Sequence, residues 1–302
     1  MTFAPFTVDV PGTSANLGPG FDALGMALEI VNRVRAEPSD RWEISFTGEG
    51  ADRLPVGERN LMLRSITTAA RRFGWQLPTA RLSCSNAIPL SRGLGSSSAA
   101  IVGGLVIAQH LSRQERPMDD LLQLASELEG HPDNVAPALL GGVQACALAD
   151  GRVTHVRVPL GRALAVALFV PDVPMPTREA RGVVPRRVEL HDAVYNISRA
   201  CLLVAALASG ETAALRIGTQ DMLHQPARMR LFPAMPILFH AALEAGALGV
   251  YLSGAGSTVA AFAEDDGWAV ARAMAEAAAR DGVPGRPLVT AMRSQGPILT
   301  ED

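Results

Sequence analysis

The stretch Pro89-Leu-Ser-Arg-Gly-Leu-Gly-Ser-Ser-Ser-Ala-Ala100 sets two closely spaced glycines and three serines ahead of the apolar run Ala99–Ala108. Gly93 and Gly95 let the backbone bend sharply and bring its N–H groups close to a ligand. With Ala99–Ala108 as a buried helix, unpaired N–H groups and the positive end of the helix dipole converge on one point, which suits phosphate. The same string also reads as a serine N-cap after an ordinary glycine turn. Three further segments carry reactive side chains. Pro11–Asp22 is a Gly- and Pro-rich loop whose strongest polar groups are Asn16 and Asp22. Its plainer alternative is a turn in which Asn16 caps the backbone and Asp22 starts the next element. Glu127–Ala138 packs Glu129, His131, Asp133 and Asn134 between apolar flanks, a cluster costly to fold without a partner. A helix C-cap and an Asx turn would account for Gly130 and Asn134 but not for all four polar groups. Glu129 is a hard oxygen ligand of the kind Mg²⁺ takes alongside phosphate oxygens. No second His or Cys stands at zinc-ligand spacing. In the second half, Thr177 and Arg181 are four apart, and Arg228 follows the break His224-Gln-Pro. Two arginines meeting in one pocket suit bidentate capture of a carboxylate, whereas surface ion pairing is the default for either alone. A second glycine turn, Leu252–Thr258, either closes over the first or is a tight connection.

No lysine occurs in the chain, so all 27 basic residues counted as Lys+Arg are arginine. A P-loop needs a lysine after its glycines and a protein-kinase site needs a strand lysine, so both classes are excluded. Gly93-x-Gly95-x-x-Ser98 lacks the acidic partner of a dinucleotide fingerprint. Phosphate charge must then be met by Mg²⁺, arginine and backbone dipoles. The net charge of −3 gives no basic field for nucleic acid. Apolar runs such as Ala163–Val170 fall short of a membrane span, and Met1–Pro5 lacks a signal-peptide start. A cytoplasmic enzyme is expected. Cys84, Cys146 and Cys201 are expected to be buried reduced thiols.

The elements that must position these groups follow from periodicity and turn signals. Strands are expected at Phe6–Val10, Leu24–Val34 continuing into Arg41–Phe46, Ala80–Ser85, Val143–Leu148, Val153–Val158 and Ala163–Val170. Helices are expected at Asn60–Phe73, Met118–Leu128, His191–Ser209 and Thr212–Gly218, and Val250–Arg280 reads as strand, glycine turn and helix. At 302 residues there is room for two cores, and the pattern changes near residues 158–161. The expected division is 1–158 and 159–302.

Together these segments resemble the GHMP kinase superfamily, and within it the homoserine kinases. The superfamily likeness rests on Pro89–Ala100 and Leu252–Thr258. The narrower one rests on Ser14–Asp22, Glu129–Pro137, Thr177–Arg181 and Asp221–Arg228. Gly12 stands where the family more often has Ala, and Ser257 where it commonly has Pro. The resemblance implies an α+β fold, with an N-terminal domain containing a left-handed βαβ crossover and a C-terminal ferredoxin-like domain. It implies transfer of phosphate from ATP to the hydroxyl of L-homoserine on the route to threonine, in a homodimer. By the same resemblance Pro89, Leu90, Ser91, Arg92, Gly93, Leu94, Gly95, Ser96, Ser97, Ser98 and Ala99 wrap the ATP phosphates, and Ser98 with Glu129 holds Mg²⁺. Arg181 and Arg228 bind the substrate carboxylate. Asn16, Asp22, His131 and Asn134 surround its amino and hydroxyl ends, with Asn16, Asp22 and Asn134 closest to the chemistry. Glu127 is the alternative metal carboxylate. The other readings are a kinase for a different small alcohol and a catalytically silent binding protein of the same fold.

Overall fold

The computed structural model describes residues 3–301. Met1, Thr2 and Asp302, the outer ends of the expected domains and of the N-terminal stretch, lie outside the described residues. The chain runs β1 (Phe6–Ala15), β2 (Leu24–Pro38), β3 (Glu43–Gly48), α1 (Leu61–Phe73), β4 (Ala80–Asn86), α2 (Ser96–Ser112), α3 (Met118–Glu129), α4 (Pro132–Leu140), β5 (Val143–Ala149) and β6 (Arg152–Val158). It continues through β7 (Ala165–Pro171), α5 (Thr177–Gly182), α6 (Leu190–Ser209), α7 (Leu215–Gly218), α8 (Gln225–Arg228), α9 (Met235–Glu244), β8 (Gly249–Leu252), β9 (Val259–Ala263), α10 (Trp268–Arg280), β10 (Gly285–Ala291) and β11 (Ile298–Glu301).

Helices and strands are interleaved and form two sheets, an α+β arrangement. Seven strands form the larger sheet, in the order β11-β1-β2-β4-β3, with β5 on β2 and β6 on β5. On its edge away from β1 the long β2 serves two neighbours: Leu24–Met26 pair with β5, whereas Arg33–Pro38 pair with β4. Alternation explains β1 and β2, whose Val8, Val10, Met26, Leu28 and Val34 are fully buried. Helix α2 is apolar all round, with Ile101, Val102, Leu105, Ile107 and Ala108 buried, as befits a helix that runs through the core rather than over it. Its close approach to α1 needs glycine, because a Cβ on Gly104 would sit 2.6 Å from the Met62 carbonyl.

The smaller sheet is antiparallel throughout and ordered β10-β7-β9-β8. A β-α-β-β-α-β succession with its fourth strand beside its first is the ferredoxin-like arrangement. A separate apolar cluster, including Phe169, Leu252, Val270 and Met274, packs under α9 and α10.

Differences from the sequence-based expectations have local causes. Residues 212–218 do not form one helix but a 3₁₀ turn and the single turn α7. Cys84 and Cys146 are buried, but Cys201 is exposed on α6. Its apolar neighbours in sequence mislead because they are shared between the two faces of that helix, Leu203 facing the core while Cys201 and Leu202 face outward. Strand β11 pairs with β1 in the larger sheet, so residues 298–301 sit apart from the smaller one. As a working division we propose 1–158 and 159–302, with β11 returned to the first sheet.

Candidate active site

Gly95, in the left-handed region at φ 72°, is the N-cap of α2, and no side chain caps that helix. The serine N-cap alternative therefore does not hold. Ala99 N–H bonds Gly95 O at 2.9 Å, so the preceding N–H groups of the first turn stand ahead of the helical ladder. The serine hydroxyls turn elsewhere: Ser97 Oγ and Ser98 Oγ donate to Glu129 Oε1 at 2.6 and 2.9 Å. Glu129 reaches them because it is the last residue of α3, which Gly130 ends at φ 93°. Glu127 belongs to another face, where it accepts from Gln123 and lies 3.6 Å from Arg72. Two hydroxyls and a carboxylate are a hard oxygen set that fits Mg²⁺ beside phosphate.

The second glycine turn braces the first loop from behind. Ser253 Oγ donates to Gly93 O at 2.7 Å, and Thr258 N–H donates to Arg92 O. A Cβ on Gly93 would lie 2.0 Å from Ser253 O, and one on Gly95 would lie 1.9 Å from Thr13 Oγ1. The first loop tolerates a side chain at neither position. Arg92 folds back, its guanidinium donating to the carbonyls of Leu90, Pro171 and Asp172. It ties the loop to the end of β7.

Around this loop lies a cavity of about 360 Å³. Every residue from Pro89 to Ala99 except Ser98 lines it. Ser98 is fully buried and meets the site through Glu129. One end of the cavity is largely apolar, formed by Val34, Phe46, Leu54, Pro55 and Met62 with Asn32, Asn60 and Asn86. This end is absent from the sequence-based site. Its residues are scattered over five segments and carry no motif, although Asn60 betrays itself as an N-cap, accepting from Met62 N and Leu63 N. The opposite end holds Asn16, Asp22, His131, Asp133, Asn134, Thr177, Arg181 and Arg228. All six substrate-side residues expected from the sequence therefore meet in one place.

Each is held by partners from elsewhere in the chain. Asn16 and Asp22 both have positive φ, 68° and 56°, in the loop between β1 and β2. Asn16 donates to Gly254 O at 2.8 Å and accepts from Asp22 N–H. Asp22 takes both arms of the Arg181 guanidinium, at 2.9 and 2.6 Å. This hydrogen-bonded pair raises the pKa of Arg181, against the opposing effect of burial. At the start of α4, His131 Nδ1 meets Asp133 Oδ1 at 2.5 Å, and Asn134 Oδ1 accepts from Thr13 Oγ1 at 2.8 Å. Burial works against protonation of His131, but the Asp133 hydrogen bond and charge prevail and raise its pKa.

Arg228 is 2 % exposed and well partnered. It donates to Gly254 O at 2.8 Å, Ala180 O at 3.2 Å and His224 Nδ1 at 2.9 Å. Burial, then the neighbouring Arg181 charge, pull its pKa down to about 10. His224 donates from Nε2 to Gly18 O at 2.7 Å, which leaves Nδ1 free to accept from Arg228 and defines a neutral ring. Its burial pushes its pKa down to about 4. Phe21 stacks on His224 at 5.3 Å, and the guanidinium carbons of Arg181 and Arg228 lie 5.6 and 5.4 Å from its ring centre. Asp221 accepts from His224 N and Gln225 N, and Asn196 ties Asp221 to Pro19 O. Phe21, Asn196, Asp221 and His224 were not among the expected site residues. All but Asn196 stand inside the quoted motifs, which was the available signal.

A glycine loop at a helix start, braced by a ferredoxin-like layer and facing a pocket of paired charges, defines a small-molecule phosphotransferase. The sequence profile described as GHMP kinases N terminal domain matches residues 60–142, and that described as GHMP kinases C terminal matches residues 203–280. The chain belongs to the GHMP kinase family. It is 45 % identical over 276 residues to the homoserine kinase of Moorella thermoacetica, covering 91 % of this chain and 93 % of that one. It is 42 % identical to the homoserine kinase of Carboxydothermus hydrogenoformans, over 96 % of this chain and 95 % of that one. The crystal structure of homoserine kinase from Cytophaga hutchinsonii superimposes with a TM-score of 0.89 at 29 % identity, covering 99 % of this chain and 98 % of that one. No helix among the described residues is long and apolar enough to cross a membrane.

Proposed function

We propose that the chain is a homoserine kinase, transferring the γ-phosphoryl group of ATP to the side-chain hydroxyl of L-homoserine. The observation that carries this reading is the charge arrangement at one end of the cavity. Asp22 and Arg181 form a bidentate pair there, and the second guanidinium, that of Arg228, lies against the same Phe21 ring. An amino acid brings an ammonium and a carboxylate, and can take both partners of such a pair without leaving a charge unmatched. The carboxylate goes to Arg181 and Arg228, and the ammonium to Asp22. Asn16, His131 and Asn134 hold the hydroxyl arm and direct it towards the loop.

At the loop, the N–H groups of the first turn of α2 and its dipole receive the phosphates, while the apolar end takes the nucleoside. Ser98 and Glu129 would hold Mg²⁺, which neutralises charge on the phosphate oxygens. In the transfer, the hydroxyl oxygen forms its bond to the γ-phosphorus as the bond to the bridging oxygen of ADP breaks. The hydroxyl proton leaves late, to an oxygen of the transferring group. Asp22 is poorly placed to be a base, since it is committed to Arg181 in the free site and to the substrate ammonium in the complex. Positioning and electrostatics therefore supply the catalysis.

The test is ADP release from MgATP with L-homoserine, L-serine, mevalonate and galactose offered in parallel. Turnover confined to homoserine is expected. Turnover with mevalonate or galactose in its place would transfer the site to another small alcohol, and ATP binding without turnover would make the chain a silent binding protein.

A further inference from the structure

A second cavity, of about 270 Å³, lies behind the segment that carries Arg228 and shares no lining residue with the first. Its walls are mainly apolar: Met229, Met235, Phe239, Leu243 and Val250 come from the 225–229 turn, α9 and β8. Arg216 stands at the same cavity, exposed and without an ion-pair partner among the described residues. The other polar groups are engaged. Tyr195 Oη donates to Gln220 Oε1 at 2.7 Å, Gln225 Oε1 accepts from Leu252 N–H at 2.7 Å, and Asp221 accepts backbone N–H groups. Among the described residues Arg216 is the one cation at this cavity, and the amide N–H groups of Gln220 and Gln225 are its neighbouring neutral donors.

We propose that this cavity is a second small-molecule site, for a monocarboxylate with an apolar body. Its volume lies just below the usual range of ligand pockets, about 300–1,000 Å³, which limits the body to about the size of one ring and a short chain. Two methionines and a phenylalanine present a soft, polarizable wall suited to such a ring. The free guanidinium fixes the carboxylate at the rim. The site stands on its own geometry and does not depend on the reaction proposed above. Its wall is shared with the active site all the same. Gln225 clamps Leu252 two residues before Gly254, whose carbonyl holds both Asn16 and Arg228.

The probe is 3-phenylpropionate, titrated calorimetrically into the full chain, with 3-phenylpropionamide as its neutral counterpart. One saturable site is expected. Arg216→Gln and the amide should each weaken binding by about fivefold, as loss of one exposed charge contact does. Leu243→Trp should abolish binding by filling the cavity. Arg181→Met should leave it unchanged, which separates this site from the carboxylate end of the first. Should Leu243→Trp fail to fold, the exposed Arg216→Gln carries the test. Absence of saturable heat, or binding lost in Arg181→Met and kept in Arg216→Gln, would overturn the proposal. A homoserine KM that shifts twofold or more with the probe is the expected sign of the shared wall, and an unchanged KM would overturn that link.

Discussion

Replacing Arg228 by methionine removes charge and donors while keeping an unbranched chain in place. Arg228 does two jobs at once, and the variant separates them. Its hydrogen bonds to Ala180 O and His224 Nδ1 would be left without donors in a fully buried setting, whereas Gly254 O keeps its bond from Asn16. Orphaning a buried acceptor costs about 1–3 kcal/mol, so two of them lower stability by about 3 kcal/mol. In a chain of this size that is a fall of roughly 5 °C in Tm. The lost contact to the substrate carboxylate is a charge-assisted hydrogen bond worth about 1.5–3 kcal/mol, a rise of roughly 10- to 100-fold in the KM for homoserine. The KM for ATP should move by less than about twofold, since Arg228 sits at the other end of the cavity. Steady-state kinetics with each substrate varied, alongside calorimetric melting, provide both readouts.

Arg181→Met is the comparison that makes the reasoning refutable. Arg181 is half-exposed, so its loss should raise the homoserine KM comparably with little change in Tm. Equal rises in both KM values for Arg228→Met, or an unchanged Tm, would refute the two-job account. A fall in Tm with an unchanged homoserine KM would leave Arg228 a structural residue alone.

Glu129→Gln should depress kcat and raise the Mg²⁺ concentration needed for half-maximal rate, whereas Glu127→Gln, on the surface pair with Arg72, should match the parent in both. Gly95→Ala should cost most of the activity and several degrees of Tm, because its Cβ would collide with Thr13; Gly74→Ala, at similar φ but with open space, should lose only about 1 kcal/mol in a urea titration. The depressed pKa of His224 makes the unfolded chain bind the extra proton between about pH 6.5 and about pH 4, so stability should fall as pH drops through that window. Urea midpoints measured from pH 7.5 to 5 should slope less in His224→Gln, and parallel slopes would show that the ring titrates as it does in the unfolded chain.

Much of the larger sheet was legible because its strands alternate and its turns carry Gly or Asp-Gly. Helix α1 was legible from its amphipathic period. Short elements escaped for a physical reason. Helices α4, α5 and α8 span nine, six and four residues and are held by tertiary partners, not by propensity. Pro132 and Pro226 look like breakers in sequence but sit in the first turns of their helices, where a missing N–H costs nothing. Strand β11 gave no periodic signal of its own, and its pairing with β1 spans almost the whole chain.

The site shows the same division between local and distant causes. Ser98 and Glu129 lie about thirty residues apart; the chemistry of a hard carboxylate singles out Glu129, and the family resemblance pairs it with Ser98. Asp22 and Arg181 are 159 positions apart, and nothing local to either announces the other. What could be read was a surplus: Asp22 closes a loop of glycine, proline and small residues, and Arg181 and Arg228 stand in short segments broken by proline. Charges placed in such surroundings must find partners, because burying them unpaired costs more than a domain can bear. The pairing itself, and the neutral His224 that lets Arg228 be buried beside Arg181, exist only once the ferredoxin-like layer closes on the larger sheet. The substrate end of the cavity is thus a property of the interface between the two sheets, and a change on either side of it should be felt first in homoserine binding.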